Sequence, residues 1–252
     1  LALSRAGARL DRAAAAIPPR DVLVVSAYRP GGRLLPAALD ELAGTRHSLR
    51  VALGSMGRPD PALAAGTVAT DLDGGKFENL NQVLAAAGQA ADWTLVVDDD
   101  VVLPPRFLDR LLALGERLDL SLAQPAQTLN SFAAWPVTRR RAGVLARESR
   151  LVEIGPVTLF RRDALALLTP FPPLRYGWGL DLHWAAVAAD RGWRLGIVDA
   201  LPVRHEHAAV AASYSSRDAI EEARRFLAHH PFLDRARALE TVRRYGLSAQ
   251  LP

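Results

Sequence analysis

Three consecutive aspartates, Asp98, Asp99 and Asp100, directly follow an apolar run. Like charges close together in a low-dielectric cleft raise each other's pKa, so a positive group is expected to offset them. On an extended chain Asp98 and Asp100 project to the same side, and their hard oxygen ligands suit Mg²⁺ or Mn²⁺ better than Zn²⁺. The residues therefore predict a divalent-cation site, the plainer alternative being a solvated acidic turn that caps the next helix.

The elements around the aspartates predict an α/β arrangement. The run 93–97 (WTLVV) is typical of a buried strand, and a proline-initiated helix is expected over 106–118. Upstream, a strand at 21–28, a helix at 34–43 and a strand at 48–53 form a βαβ opening. Ligands of open α/β sheets bind beyond the carboxyl ends of the strands, which is where the aspartates lie.

The remaining elements are predicted from shorter patterns. Strands are expected at 66–70, 120–124 and 194–198, with a strand pair or one bent strand at 151–160. Helices are expected at 80–91, 162–168 and 180–190, with one or two arginine-rich helices over 216–245. A weakly periodic segment, 127–150, is predicted to be partly helical, and 172–179 to be a loop. The absence of a convincing linker predicts a single domain.

Composition narrows the class of protein further. The 252 residues, half of them hydrophobic, suffice for one sizeable core, and the absence of cysteine excludes disulfides and thiolate chemistry. No apolar run approaches the roughly 18 residues that span a bilayer, so we expect a soluble, cytoplasmic protein. Among 31 basic residues only Lys76 is a lysine. This bias fits codon usage in a GC-rich, bacterial genome, or else anionic partners such as nucleotide diphosphates or an acidic membrane face; it does not indicate nucleic-acid binding.

Three motifs together resemble GT-A-fold glycosyltransferases, family 2 in particular. The segment 93–104 (WTLVVDDDVVLP) resembles their Asp-x-Asp signature, 75–81 (GKFENLN) the glycine-lysine element before it, and 177–181 (GWGLD) the acceptor-side motif. The resemblance covers about 21–207. It implies an α/β, Rossmann-like central and mostly parallel sheet flanked by helices, and a sugar transfer from a nucleotide-sugar to an acceptor hydroxyl that requires Mn²⁺ or Mg²⁺.

The resemblance also implies roles for individual residues. Asp98, Asp100 and His205 match metal ligands, and Asp181 matches the general base of inverting enzymes. The remaining matches are to donor-binding residues at Ser26, Ala27, Tyr28, Lys76, Asn79, Asp98 and Asp99, and to acceptor-binding residues at Tyr176, Trp178 and Gly179. Residues 21–124 would form the nucleotide-sugar half and 125–207 the acceptor half, followed by C-terminal helices over 208–252.

Several of these residues have alternative interpretations. Asp181 could instead stabilise the first turn of its helix, and His205 with His207 could belong to a polar turn. Lys76 could be solvated, and Trp178 with its neighbour Tyr176 could pack the loop onto the core. Two departures from the family are the Leu before Asp181, where Glu is usual, and the lack of a Gln-x-x-Arg-Trp signature, which argues against a processive polysaccharide synthase.

Two rival functions stay open on the sequence. One is a nucleotidyltransferase of related architecture, although 30–33 (PGGR) is a poor version of the glycine-rich loop that such enzymes place after the first strand. The other is a non-catalytic carbohydrate- or nucleotide-binding protein. A P-loop, a dinucleotide fingerprint, a nucleophile elbow and a His-Glu-x-x-His zinc site are not found. The acceptor is expected to be a carbohydrate, a lipid-linked group or a small molecule, and a lipid-linked one would bring the protein to the inner face of the membrane.

Overall fold

The computed structural model describes residues 2–88, 90–131, 133–206 and 215–247. Within them the strands are β1 (Asp21–Tyr28), β2 (Ser48–Ser55), β3 (Thr67–Ala69), β4 (Trp93–Val97), β5 (Val101–Val102), β6 (Leu120–Gln127), β7 (Val144–Ser149), β8 (Val157–Arg161), β9 (Arg194–His205) and β10 (Thr241–Gly246). The helices are α1 (Ala2–Ala16), α2 (Leu34–Ala43), α3 (Lys76–Ala87), α4 (Phe107–Arg117), α5 (Arg162–Leu168), α6 (Leu180–Arg191), α7 (Ser216–Leu227) and α8 (Arg235–Ala238). Short 3-10 turns lie at Ala64–Gly66 and Pro136–Thr138.

The described strands form one mixed sheet in the order β10-β7-β9-β6-β8-β4-β1-β2-β3, with β5 paired to the end of β9. Following the pairings across this order, β3, β2, β1, β4, β6, β9 and β10 run in one direction and β7 and β8 in the other. The expected α/β fold with a mostly parallel central sheet in one domain is confirmed. The carboxyl ends of β1, β4, β6 and β9 consequently share one edge of the sheet.

Helices cover both faces of the sheet. On one face α1, α2 and α4 pack against alternate strand residues such as Val22, Val24 and Leu95. On the other face α3, α5 and α6 pack against the intervening residues, such as Leu23 and Val96. Because both faces are covered, β1 and β4 are apolar along nearly their whole length, which is what makes them recognisable in the sequence. Among the described helices, none combines the length and apolarity needed to cross a bilayer.

Two polar strands contradict the sequence prediction. Residues 144–149, expected in a partly helical segment, form β7, and the arginine-rich segment expected to stay helical to residue 245 ends in β10. Arg147 of β7 and Asp199 of β9 are both buried and form an ion pair, Nε to Oδ2, of 2.7 Å. β10 is an edge strand with register shifts against β7. Neither strand has the apolar alternation from which strands are predicted.

Helix α3 begins at Lys76, four residues before its predicted start at residue 80. The carboxylate of Glu78 accepts a hydrogen bond of 2.6 Å from the backbone N–H of Gly75, which stabilises the first turn. Glycine is required at position 75, because a Cβ atom there would lie 2.2 Å from the carbonyl oxygen of Arg175. The turn therefore packs directly on the loop before α6 and puts Lys76 at the start of a helix.

Candidate active site

The acidic turn is held between two strands that are far away in sequence. Asp98 follows β4, and its backbone N–H donates to the carbonyl of Pro156 at 2.8 Å. The carbonyl of Asp100 accepts from the N–H of Glu206 at 3.0 Å. β5 then pairs antiparallel with the end of β9, which sets His205 opposite Val101. β9 thus continues well past its predicted end at residue 198 and delivers a histidine to the aspartates.

Asp98, Asp100 and His205 form a cluster whose ligand atoms all lie within 4.8 Å of one another. The Nε2 atom of His205 is 3.0 Å from Oδ1 of Asp100. Two carboxylates and one imidazole make a donor set that fits Mn²⁺. The carboxylate oxygens of the set also suit Mg²⁺. These three predicted ligands are brought together, whereas His207, also considered from the sequence, lies outside the described residues.

The histidine of this cluster is electrostatically coupled to the acids. Burial by itself would lower the pKa of His205, but the hydrogen bond to Asp100 and the negative charges of Asp98 and Asp100 outweigh it and raise that pKa. The backbone N–H of His205 also donates to Oγ of Ser131 at 2.9 Å. The site therefore favours positive charge at the position where the three side chains converge.

Lys76 supplies a positive charge at the edge of the cluster. Its Nζ atom lies 2.5 Å from Oδ1 of Asp98 and donates to the carbonyl of Ile154 at 2.8 Å. A Cβ atom at Gly155 would lie 2.6 Å from Nζ and 2.8 Å from Oδ2 of Asp98, so a side chain at this position would push the ammonium and the carboxylate aside. Lys76 is therefore paired with the acidic turn, and the alternative that it is simply solvated is wrong.

Asp99 turns away from the cluster toward the loop after β1. Its Oδ2 atom accepts from the backbone N–H of Arg29 at 2.8 Å. Burial raises the pKa of Asp99, the charges of Asp98 and Asp100 raise it further, and the bond from Arg29 opposes them. Asp99 consequently ties the acidic turn to the carboxyl end of β1, where donor contacts were predicted.

The other predicted donor residues lie close to this edge and largely inside the fold. Tyr28 is buried, its hydroxyl lies 2.9 Å from Oγ1 of Thr67, and Asn79 donates to the carbonyl of Gly74 at 3.1 Å. Ser26 is buried without a hydrogen-bond partner for its hydroxyl among the described residues, and Ala27 packs against the core. Their contact with a donor stays a prediction.

Asp181 lies in the first turn of α6 and is only 6% exposed. Its Oδ1 atom accepts from the N–H of Leu182 at 2.9 Å, and its Oδ2 atom accepts from the indole N–H of Trp135 at 2.5 Å. Burial raises the pKa of Asp181 to about 6, although both hydrogen bonds lower it. A carboxyl group with this pKa is ionised near neutral pH and is still basic enough to accept a proton.

The loop carrying Tyr176, Trp178 and Gly179 is fixed from outside by α7. The carboxylate of Glu222 accepts hydrogen bonds from three successive backbone N–H groups, those of Arg175, Tyr176 and Gly177, at 2.8, 2.9 and 3.2 Å. Tyr176 and Trp178 are half-buried. Gly179 has a φ of 93°, which favours glycine, and leads into α6. Acceptor binding by this loop stays a prediction.

Two neighbours of Asp181, Trp135 and Glu153, were not identified in the sequence. Glu153 is 4% exposed and accepts hydrogen bonds from Gln127, Thr138 and the backbone of Ala134 and Trp135. Burial raises the pKa of Glu153 to about 7, against the effect of those bonds. The only signal in the sequence was one acidic residue inside the apolar run 151–160.

The arginine run after Trp135 is part of the same packing. The guanidinium of Arg139 donates to the carbonyl of Leu129 at 2.8 Å, and the backbone N–H of Arg141 donates to Asp199 at 2.7 Å. The first contact closes the segment between β6 and β7 on itself, and the second fastens that segment to β9. The arginine run is therefore tied into the fold at both of its ends.

Similarity to solved structures agrees with this architecture, although no protein-family model and no curated protein matches the sequence. A mannosyltransferase of Pyrobaculum calidifontis, PcManGT, solved with GDP-Man and Mn²⁺, aligns with a TM-score of 0.57 at 15% identity over 92% of this chain and 74% of its own. GalNAc-T7 with UDP, GalNAc and Mn²⁺ gives 0.63 at 12% identity over 83% and 48%. Residues 1–349 of S. aureus TarS with UDP-GlcNAc give 0.59 at 14% identity over 86% and 68%.

These likenesses establish the fold of the chain. It is the GT-A fold that the sequence motifs led us to expect. The chain spans about half the length of the GalNAc-T7 chain, so that the two correspond only over the shared fold. The cluster of Asp98, Asp100 and His205 lies at the carboxyl edge of this sheet, where ligands of open α/β folds bind.

Proposed function

We propose that this chain is a metal-dependent glycosyltransferase that moves a sugar from a nucleotide-sugar to an acceptor hydroxyl, with inversion at the anomeric carbon. The observation that carries the proposal is the convergence of Asp98, Asp100 and His205 at the carboxyl edge of a GT-A sheet. Structures of the same fold contain GDP-Man, UDP or UDP-GlcNAc, two of them with Mn²⁺.

The donor diphosphate binds at the acidic turn. Asp98, Asp100 and His205 would hold Mn²⁺ or Mg²⁺, and the chemistry that such an ion would supply there is neutralisation of negative charge on the departing nucleoside diphosphate, an effect worth several kcal/mol. Lys76, already 2.5 Å from Asp98, adds a positive charge beside the phosphates. The nucleoside lies against Ser26, Ala27 and Tyr28 at the end of β1, with Asn79 and Asp99 shaping the same surface.

Asp181 acts as the general base on the acceptor side. It accepts the proton of the acceptor hydroxyl as that oxygen forms a bond to the anomeric carbon and the bond from that carbon to the diphosphate oxygen breaks. Its pKa of about 6 supports this role, because the carboxylate is ionised at neutral pH. Tyr176, Trp178 and Gly179 border the acceptor, and the rings stack on it if it is a sugar.

In this proposal donor and acceptor bind to the two different halves of the chain that were predicted from the sequence. Residues 21–124 bind the donor and residues 125–207 bind the acceptor, with α7 packed over the acceptor loop. The acceptor is a carbohydrate, a lipid-linked group or a small molecule. We further propose a cytoplasmic location, with contact to the inner face of the membrane in the case of a lipid-linked acceptor.

The test is metal-dependent nucleotide binding. Isothermal titration calorimetry with GDP, UDP, GDP-mannose and UDP-GlcNAc is carried out with and without one equivalent of Mn²⁺. One class of nucleotide should bind tightly, and only when the ion is present. Asp100→Ala should abolish the gain from Mn²⁺, since a metal ligand is lost. Asp190→Ala is the matched control, because Asp190 is exposed and, among the residues that the structure describes, forms its ion pair with its neighbour Arg191. Equal binding with and without the ion would refute the proposal.

Product analysis separates the proposal from its rivals. Release of nucleoside diphosphate from the bound nucleotide-sugar is expected, at least slowly with water as acceptor. Release of pyrophosphate from a nucleoside triphosphate and a sugar phosphate would instead identify a nucleotidyltransferase. Metal-dependent binding with neither product, over an acceptor panel, would identify a non-catalytic binding protein.

A further inference from the structure

One short stretch of chain contacts both halves of the candidate site. Ile154 accepts from Lys76, and Gly155 packs against Asp98. Glu153, the residue before them, points its carboxylate into the segment between β6 and β7, where it binds the backbone N–H groups of Ala134 at 2.5 Å and of Trp135 at 3.2 Å. Three consecutive residues therefore connect the acidic turn with the segment that covers Asp181.

Glu153 fixes that segment at three points and joins it to the end of β6 at a fourth. Besides the two N–H groups, its Oε2 atom accepts from Nε2 of Gln127 at 2.5 Å and from Oγ1 of Thr138 at 2.8 Å. A buried carboxyl group with so many donors is costly to disturb, because each lost partner leaves a buried polar atom unpaired. The backbone at Trp135 is consequently held in one position.

Trp135 transmits this position to Asp181. Its indole N–H donates to Oδ2 of Asp181 at 2.5 Å, while Oδ1 is occupied by the N–H of Leu182. The two bonds fix the plane of the carboxylate and leave the remaining lone pairs of Oδ2 for another donor. The charged groups around this contact are Glu153, whose charge acts on Asp181, and Arg235 of α8, whose guanidinium lies 5.1 Å from the centre of a Trp135 ring.

We propose that Trp135 is a positioning residue that orients the carboxylate of Asp181 toward the acceptor hydroxyl, and that Glu153 anchors Trp135 for this purpose. The inference rests on the proposed function, in which Asp181 is the base. It assigns a function to a buried acid and a tryptophan that the transfer chemistry does not otherwise use.

The hydrogen bond itself is tested without any substrate. In protein labelled with ¹⁵N-tryptophan, the indole resonance of Trp135, assigned by its loss in Trp135→Phe, should shift between pH 5 and pH 8 as Asp181 ionises. In Asp181→Asn the part of the shift centred near pH 6 should disappear, leaving only the smaller change that Glu153 causes as it ionises near pH 7. The resonance of Trp193, at the opposite edge of the sheet before β9, should stay constant. A Trp135 resonance that is constant in the wild type, or that moves equally in Asp181→Asn, would overturn the proposal.

Catalysis supplies the second readout. Trp135→Phe keeps the ring and removes the N–H, so kcat for metal-dependent release of nucleoside diphosphate should fall about tenfold or more, as expected for a hydrogen bond to a charged group. The acid limb of kcat/KM should move to higher pH, since a donor that favours the carboxylate is lost. Donor affinity should change less than twofold. Trp193→Phe is the matched control.

Glu153→Gln tests the anchor. The amide of glutamine cannot accept hydrogen bonds through its nitrogen, so two of the four donors lose their partner. We expect the Trp135 indole resonance to shift or broaden and the acid limb to move in the same direction as in Trp135→Phe. An unchanged resonance and acid limb in folded Glu153→Gln would remove Glu153 from the proposal.

The outcomes separate the two levels of inference. Wild-type protein that binds no nucleotide in a metal-dependent way would refute the proposed function. Normal donor binding and turnover, together with a Trp135→Phe variant indistinguishable from Trp193→Phe in kcat and acid limb, would refute only the role of Trp135.

Discussion

Single side chains set the protonation states that the proposed chemistry requires. Asp181 has the burial that raises its pKa to about 6 and two hydrogen bonds that keep it from rising further. The carboxylate of Asp100 favours the protonated form of His205. A cation bound at the cluster would compete with that proton for the same carboxylate. At the scale of the residue, the proposed donor side attracts positive charge and the proposed acceptor side presents a weak base.

Asp181 should therefore control the lower pH limit of sugar transfer. As pH falls through about 6 the base is protonated, so kcat/KM should decline tenfold per pH unit below that value and level off above it. Asp181→Asn should lower kcat by about 10²–10⁴-fold and remove this limb from the residual rate, with donor binding retained. Initial rates from pH 4.5 to 8.5 measure both effects.

The control for this prediction is Asp190→Asn, which changes an exposed aspartate at the other end of the same helix. It should keep both the rate and the acid limb of the wild type. Transfer by Asp181→Asn at the wild-type rate would show that the base is another group.

At the scale of elements, α7 and β9 complete a site that starts in the first half of the chain. β9 reaches the acidic turn through β5, and α7 reaches the acceptor loop through Glu222. The loop is also confined from inside, where Cβ atoms at Gly75 and Gly177 would overlap Arg175 and Phe77. The acceptor loop is therefore held on both sides before any ligand binds.

Removing the hydrogen bonds that Glu222 accepts should loosen the loop 172–179. Glu222→Ala takes away the acceptor of three backbone N–H groups, so hydrogen exchange of the peptide covering 172–179 should accelerate at least tenfold, each bond to a charged group being worth about 1.5–3 kcal/mol. Metal-dependent nucleotide binding should persist, because the donor side is not touched. Mass spectrometry of pulse-labelled protein measures the exchange.

Glu221→Ala is the matched control on the same helix. Glu221 is exposed and forms an i,i+4 ion pair with Arg217. Such a pair is worth only a few tenths of a kcal/mol. Exchange in 172–179 should stay at the wild-type rate. Equal acceleration in both variants would mean that α7 as a whole, and not Glu222, holds the loop.

At the scale of the whole molecule, the buried acid Glu153, which we propose anchors Trp135, also makes the free energy of unfolding depend on pH. The folded state keeps its proton up to about pH 7, whereas an unfolded glutamate loses it near 4.5. Between these values the folded state binds more protons than the unfolded state, so the free energy of unfolding falls as pH rises. The shift corresponds to a loss of about 3 kcal/mol across this window.

Urea denaturation at pH 5 and pH 8 tests the effect. Wild-type protein should lose about 2.5 kcal/mol more stability between the two values than Glu153→Gln, which has no proton to release, because the unfolded glutamate is already mostly ionised at pH 5. Because the pKa of Asp181 is itself expected to change in Glu153→Gln, the same comparison is repeated in the Asp181→Asn background, where Asp181 no longer titrates. An identical pH dependence of the two proteins would show that Glu153 is ionised in the folded state throughout.

Local patterns were sufficient for much of the fold and part of the site. The strand 93–97, the helix 34–43 and the helix 162–168 were predicted with their observed bounds, because buried strands are apolar runs and amphipathic helices repeat every three to four residues. The three aspartates were identified by their charge and by their place after a strand. Motif resemblance added Asp181 and His205.

Tertiary structure alone decided which distant residues meet. Trp135 and Asp181 are 46 positions apart, as are Tyr176 and Glu222, and neither pair has a spacing that a helix or strand would produce. The strands β7 and β10 are likewise polar, since an ion pair and an exposed edge take the place of apolar alternation. Sequence periodicity reports the burial of apolar faces, whereas buried polar contacts between separate segments depend on how the chain closes on itself.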